Sequence, residues 1–147
     1  MFMKEKYDVI EAADRAGQYR VFLQALDAAG LKKTLKETGR YTILAPVDDA
    51  FLKIPQSRLN ELFRMENRET LQLLLRNHII NGELSSKELK RRDETRSVKG
   101  DLLRIESRTE LWVNDARVVN PDLKGTNGVL HGIDTVLIPQ AQTVSAG

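Results

Sequence analysis

Apolar residues recur at helical spacing through the first third of the chain. Val9, Ile10, Ala13 and Ala16 share one face with Gly17 as a stop, and Phe22, Leu23 and Leu26 repeat the pattern up to Gly30. A third short helical segment runs from Leu31 to Lys36 and ends at Gly39. Tyr41 to Pro46 is rich in β-formers and closes on a proline, which cannot donate to a ladder, so it reads as a strand. Asp48 then stands where a carboxylate caps the helix begun by Asp49, Ala50 and Phe51, and Pro55 closes that turn. A further helix centres on Leu59, Leu62 and Phe63. The strongest period lies between Asn67 and Asn81, where Leu71, Leu74, Leu75, His78 and Ile79 make a stripe that Leu73 and Ile80 widen. This predicts one helix packed on more than one side and ended by Gly82. Ser85-Ser86-Lys87-Glu88 has the form of a capping box opening a last short helix.

From Thr95 the period becomes two. Leu103 and Ile105 alternate with Arg104 and Glu106, and Leu111 and Val113 alternate with Trp112 and Asn114. Gly100-Asp101, Asn120-Pro121-Asp122 and Lys124 to Gly128 read as turns or loops, the last favouring positive φ. Val129 to Ile138 reads as the last and longest strand region, closed by Pro139, and residues 140–147 form a patternless tail. Helices first and strands second, without βαβ alternation, predict an α+β domain with a mainly antiparallel sheet. At 147 residues the chain is one domain, 1–139, followed by that tail.

Composition narrows the function classes. Hydrophobic residues at 41% and charged residues at 30% suit a packed core under a solvated surface. The 23 Lys and Arg against 21 Asp and Glu leave a net charge of only +2, so nucleic acid is not implied. The absence of cysteine excludes a disulfide framework, thiolate zinc and thiol catalysis. Met1 to Asp8 turns polar too soon for the apolar region of a signal peptide, and no run approaches the roughly 20 apolar residues of a membrane span.

Two stretches carry more than periodicity. Tyr41-Thr42-Ile43-Leu44-Ala45-Pro46-Val47-Asp48-Asp49-Ala50-Phe51 resembles the first signature of the fasciclin domain family. Asn127-Gly128-Val129-Leu130-His131-Gly132-Ile133-Asp134-Thr135-Val136-Leu137-Ile138-Pro139 resembles the second. Between them, Leu74 to Gly82 is similar to the family's central leucine-rich helix with its Tyr-His pair, and Val113 to Val118 is similar to its Val-Asn-x-Ala-x-Val strand pair. The resemblance implies a wedge of two mainly antiparallel β-sheets with several helices around it, mostly from the N-terminal half. It also implies a non-enzymatic role in adhesion, outside the cell or at its surface, through matrix proteins, cell-surface receptors or other fasciclin domains. No catalytic activity is characteristic of the family, and no cofactor is expected.

Three positions depart from the pattern. Val47 replaces a hydroxyl or amide residue, which removes a capping or turn hydrogen bond. Gly132 replaces a bulky aliphatic, which loosens packing, and Asn77 stands in the place of the tyrosine.

The candidate chemistry is sparse. His78 and His131 both lie on apolar phases and read as core histidines held by hydrogen bonds. His78 has Leu74 and Gly82 one turn away, so its helix supplies no second metal ligand, and no metal is assigned. His131 and Asp134 point to opposite faces of an unbulged strand, and only a bulge at Ile133 brings them together, so Asp134 is expected to accept backbone or hydroxyl hydrogen bonds. Thr42, Ala45, Pro46, Asp48, Phe51, Asn127, Gly128, His131, Asp134 and Pro139 are assigned to the fold. Partner contacts are expected from Trp112, which falls on the polar phase of its strand, and from the segment Leu75, Asn77, His78 and Ile79. The basic run Lys90, Arg91 and Arg92 reads either as a solvated helix end or as a patch for an anionic polysaccharide or lipid headgroup. The expected protein is a monomeric binding module for a protein or glycan, with no membrane insertion. An intracellular ligand-binding or regulatory role on the same fold, in the cytoplasm, and a hydrolase are the alternatives.

Overall fold

The computed structural model describes residues 7–37 and 40–138. Gly39, Pro139 and the tail 140–147 lie outside the described residues, and so do the readings placed on them. The helices are α1 (Val9–Ala16), α2 (Arg20–Ala29), α3 (Lys32–Glu37), α4 (Asp48–Phe51), α5 (Gln56–Leu62), α6 (Arg68–Arg76) and α7 (Ser86–Leu89), with a 3₁₀ turn at Met65–Asn67. The strands are β1 (Tyr41–Pro46), β2 (Ile79–Asn81), β3 (Glu94–Arg96), β4 (Leu102–Ser107), β5 (Leu111–Val113), β6 (Ala116–Gly125) and β7 (Gly128–Ile133). The α+β class holds, with the helices mostly N-terminal.

The two expected sheets are joined into one hydrogen-bonded order, β2-β1-β7-β6-β5-β4-β3. All neighbours are antiparallel except β1 and β7, which run parallel from Tyr41↔Gly128 to Pro46↔Ile133. That pair is buried on both faces, as expected of parallel strands whose sequences are continuous apolar runs. Successive residues serve different cores. Ile43 and Leu130 join a cluster with Val9, Phe22, Leu26 and Leu74 of the helices. Leu44 and Ile133 join a second with Leu89, Leu103 and Val113. The two ends of the series are bridged, because Val98 N–H donates to Ile79 C=O at 2.7 Å just beyond β3. Neither end is thereby left as a long open edge.

Local chemistry explains several elements. Asp8 and Glu11 close a reciprocal capping box on α1, and Ser85 and Glu88 do the same on α7. Val47 caps α4 without a side-chain hydrogen bond, the loss its side chain implies.

Five expectations need correction. The helix expected across 67–81 stops at Arg76, and Ile79–Asn81 become β2 against β1, because long-range pairing of β-branched residues outweighs the local period. Asp48 caps a different helix, its Oδ1 accepting from Val21 N–H at the start of α2 at 2.9 Å. Asn120-Pro121-Asp122 is a bulged stretch inside β6, where register shifts accommodate a proline that cannot join the ladder. No residue from Lys124 to Gly128 has positive φ, which among the described non-glycine residues falls instead at Asn114 and Asp122. The last strand ends at Ile133, because Asp134 turns its backbone and side chain onto Arg117.

Candidate functional site

His78 sits at the junction of α6, β2 and the segment after β7. Its side chain is 1% exposed, with the Phe22 ring 6.2 Å away. Nδ1–H donates to Leu74 C=O at 2.8 Å and Nε2 accepts from Leu137 N–H at 2.9 Å, so the imidazole is neutral with its proton on Nδ1. Burial pushes its pKa down to about 4, opposed by the Leu74 carbonyl. Asn77 makes a second tie beside it. Its Nδ2 donates to Leu137 C=O at 3.1 Å, and its Oδ1 accepts from the Ser97 hydroxyl at 3.2 Å. Asn77 and His78 thus hold both backbone groups of Leu137.

His131 makes the corresponding staple on the other side of the sheet. Its Nε2 donates to Leu84 C=O at 2.8 Å and its Nδ1 accepts from Asp122 N–H at 3.0 Å. The bulge in β6 releases that N–H from the ladder. Burial lowers the His131 pKa, against the raising effects of the Leu84 carbonyl and the Asp122 carboxylate. Asp122 in turn accepts from the backbone N–H and hydroxyl of Ser86 at the start of α7. Its carboxyl is lowered, because burial, which raises it, is outweighed by the Ser86 bonds and the neighbouring His131 and Lys124.

The other motif residues are ties of the same kind. The Thr42 hydroxyl donates to Gly82 C=O and accepts from Leu84 N–H, both at 2.7 Å. Asn127 accepts from Val9 N–H and donates to Leu35 C=O, joining the β6–β7 turn to the first and third helices. Asp134 accepts from Arg117 N–H at 2.8 Å and from the Thr135 hydroxyl at 3.1 Å. Burial raises its carboxyl, but these bonds with Lys53 and Arg117 outweigh it and the pKa is lowered. Ala45, Pro46 and Phe51 are buried. At Gly128 an added Cβ would overlap the Tyr41 carbonyl, so the close β1–β7 approach requires glycine there.

Gly132 corrects an expectation. It does not loosen the core, since an added Cβ would overlap the Tyr19 hydroxyl, and the tyrosine fills the space a bulky aliphatic would take. Tyr19 is 2% exposed, and burial raises its pKa against an Asn120 hydrogen bond.

The expected contact residues divide sharply. Leu75, Asn77, His78 and Ile79 are all buried, so none presents its side chain to a partner, and that part of the expected surface is corrected. Lys90, Arg91 and Arg92 are exposed after α7. Trp112 is half-buried on β5, between Glu106 of β4 and Arg117 of β6, with the Arg108 guanidinium 5.9 Å from its ring centre. Sequence reasoning also missed a groove of about 690 Å³ between β4 and Thr135–Ile138, since no local pattern marks where strands stop short.

Leading helices, a parallel β1–β7 pair within an otherwise antiparallel sheet and a segment after β7 pinned just beyond α6 make up an α+β architecture of the fasciclin type. The chain belongs to the fasciclin family, whose domain model matches residues 17–139. It is 30% identical over 132 residues to Protein sll1483 of Synechocystis, covering 89% of this chain and 73% of that protein. It is 34% identical over 105 residues to the cell surface glycolipoprotein MPB83 of Mycobacterium bovis, covering 71% of this chain and 46% of that one. A solved FAS1 domain pair from the insect cell adhesion molecule fasciclin I superposes with a TM-score of 0.81 at 19% identity. That match covers 93% of this chain and 52% of that one, and it shows the fold.

Proposed function

We propose that this chain is a non-enzymatic binding module that acts in adhesion at a cell surface or in an extracellular matrix, meeting a protein or glycan partner as a monomer. Another fasciclin domain is one such partner. The observation that carries the reading is the division of labour among side chains. Both imidazoles have both nitrogens tied to backbone groups inside the core, while Lys90, Arg91 and Arg92 are exposed and Trp112 is half-buried on β5. Support also comes from the relatives, one named as a cell surface glycolipoprotein and one as part of a cell adhesion molecule. Binding energy in such modules concentrates in a few anchors, and tryptophan is enriched among them. Trp112 is the anchor in this reading.

Protease digestion of the native protein on intact source cells, with a cytosolic marker as control, tests the location. Digestion with the marker intact supports the reading. Protection until lysis contradicts it and moves the search to intracellular ligands.

A further inference from the structure

The groove beside β4 has a specific origin in the strand order. Between β4 and β7 lie β5 and β6, but their hairpin turns back at Asn114–Asp115, with Val113 opposite Ala116. Only Ile105 to Ser107 of β4 pair with β5. Beyond the hairpin tip the places of two strands are empty. At about 4.8 Å per strand, three spacings leave a slot of roughly 14 Å between the axes of β4 and the segment following β7. The groove of about 690 Å³ occupies that slot.

One wall offers a strand edge. Ser97 N–H donates to Asp101 C=O and Ile105 N–H to Asp93 C=O, so the odd-numbered residues of this stretch bond towards β3. The even-numbered ones therefore bond the other way. Arg104 does so, its N–H going to Asn114 Oδ1 and its C=O accepting from Asn114 N–H, both at 2.8 Å. Leu102 is the next even residue, and no strand among the described residues pairs with its groove-facing N–H and C=O. The opposite wall is rigid, because Asn77 and His78 pin Leu137.

Charge indicates the occupant. Asp101 is paired with Lys99 at 3.0 Å and Glu106 with Arg108 at 3.1 Å. Arg104 and Asp115 line the groove with no ion pair among the described residues. Leu102 and Ile138 are apolar on its rim, 48% and 45% exposed. We infer that the groove receives an extended segment of a partner protein, which adds a strand to β4 at Leu102. Its apolar side chains meet Leu102 and Ile138, its acidic side chain pairs with Arg104, and its basic side chain pairs with Asp115. Main-chain pairing then supplies affinity and alternate side chains supply selectivity. This names the kind of partner for the binding module proposed above and rests on that reading.

The test is an amide NMR titration of the whole chain with a blocked peptide of sequence Lys-Val-Thr-Val-Glu. Saturable shifts centred on Leu102, Arg104 and Asp115 are expected. The charge reversal Arg104→Glu with Asp115→Lys should weaken binding about tenfold, and Glu-Val-Thr-Val-Lys should recover it. Leu102→Pro removes the groove-facing donor without touching the β3 ladder and should also weaken binding while the melting temperature reports that the fold is kept. Absence of saturable shifts, binding indifferent to the charge reversal, or residues 140–147 of the chain itself occupying the groove would each overturn the inference. Cell binding separates the two proposals. Wild-type binding that the groove variants retain rejects the groove alone, whereas no wild-type binding rejects the module reading and leaves the titration to decide the groove.

Discussion

The imidazole of His78 and the backbone N–H of Leu137 lie 59 residues apart in sequence and 2.9 Å apart in space. Through this bond the turn between α6 and β2 holds the segment that follows the last strand. His78→Ala opens a cavity and leaves the buried Leu137 N–H without its acceptor, while Leu74 C=O keeps the Asn77 N–H, at a cost of about 3 kcal/mol. Denaturant unfolding of the variant should show that loss, and His78→Asn should recover part of it.

The same burial makes stability depend on pH. His78 has a folded value of about 4 against an ordinary 6.5, so between these the unfolded chain binds the extra proton. Its contribution is complete above pH 6.5 and declines as pH falls towards about 4, by up to about 1.4 kcal/mol per pH unit. His131, also lowered, adds to the fall in the same direction. Chemical denaturation at a series of pH values between 4 and 8 checks this, and a flat profile would contradict the neutral staples.

Gly132→Ala should destabilise the domain by about 2 kcal/mol through overlap with the Tyr19 hydroxyl. In the Tyr19→Phe background the penalty should shrink, so a double-mutant cycle should return a coupling of about 1 kcal/mol. Additive losses would place the strain elsewhere.

Asp48→Ala removes the acceptor for Val21 N–H at the start of α2 and should cost about 1 kcal/mol, with Asp48→Asn close to wild type. Hydrogen exchange should locate the loss in the first turn of α2. A loss confined to α4 would restore the local-cap expectation.

His131→Asn should lower the melting temperature, because His131 joins Leu84 to the bulge at Asp122. Partner binding measured below the new transition should be unchanged. Retained stability with lost binding would assign His131 to the surface role instead.

What local pattern encodes was readable and what the fold assembles was not. The stops at Gly17 and Gly30, the Ser85–Glu88 box and the alternation around Leu103 and Val113 are properties of a few consecutive residues. Ile79 and Ile80 continue a helical period perfectly well, and only the presence of Thr42 and Ile43 alongside makes them a strand. Asp48 precedes one helix in sequence but reaches another in space. Asn77 marks the tyrosine position of the family pair, and its burial under Ser97 and Leu137 follows from tertiary contacts that no spacing encodes. The groove arises where a hairpin ends early, and hairpin length relative to a distant strand leaves no local trace.

The central claim is that the surface binds while the histidines hold the fold. The most direct measurement is adhesion of beads coated with the domain to intact source cells, comparing wild type with Trp112→Ala and His131→Asn at a temperature where all three are folded. The account predicts saturable wild-type binding, about a tenfold loss for Trp112→Ala and none for His131→Asn. Absent wild-type binding, or a loss with His131→Asn that Trp112→Ala does not share, would contradict it.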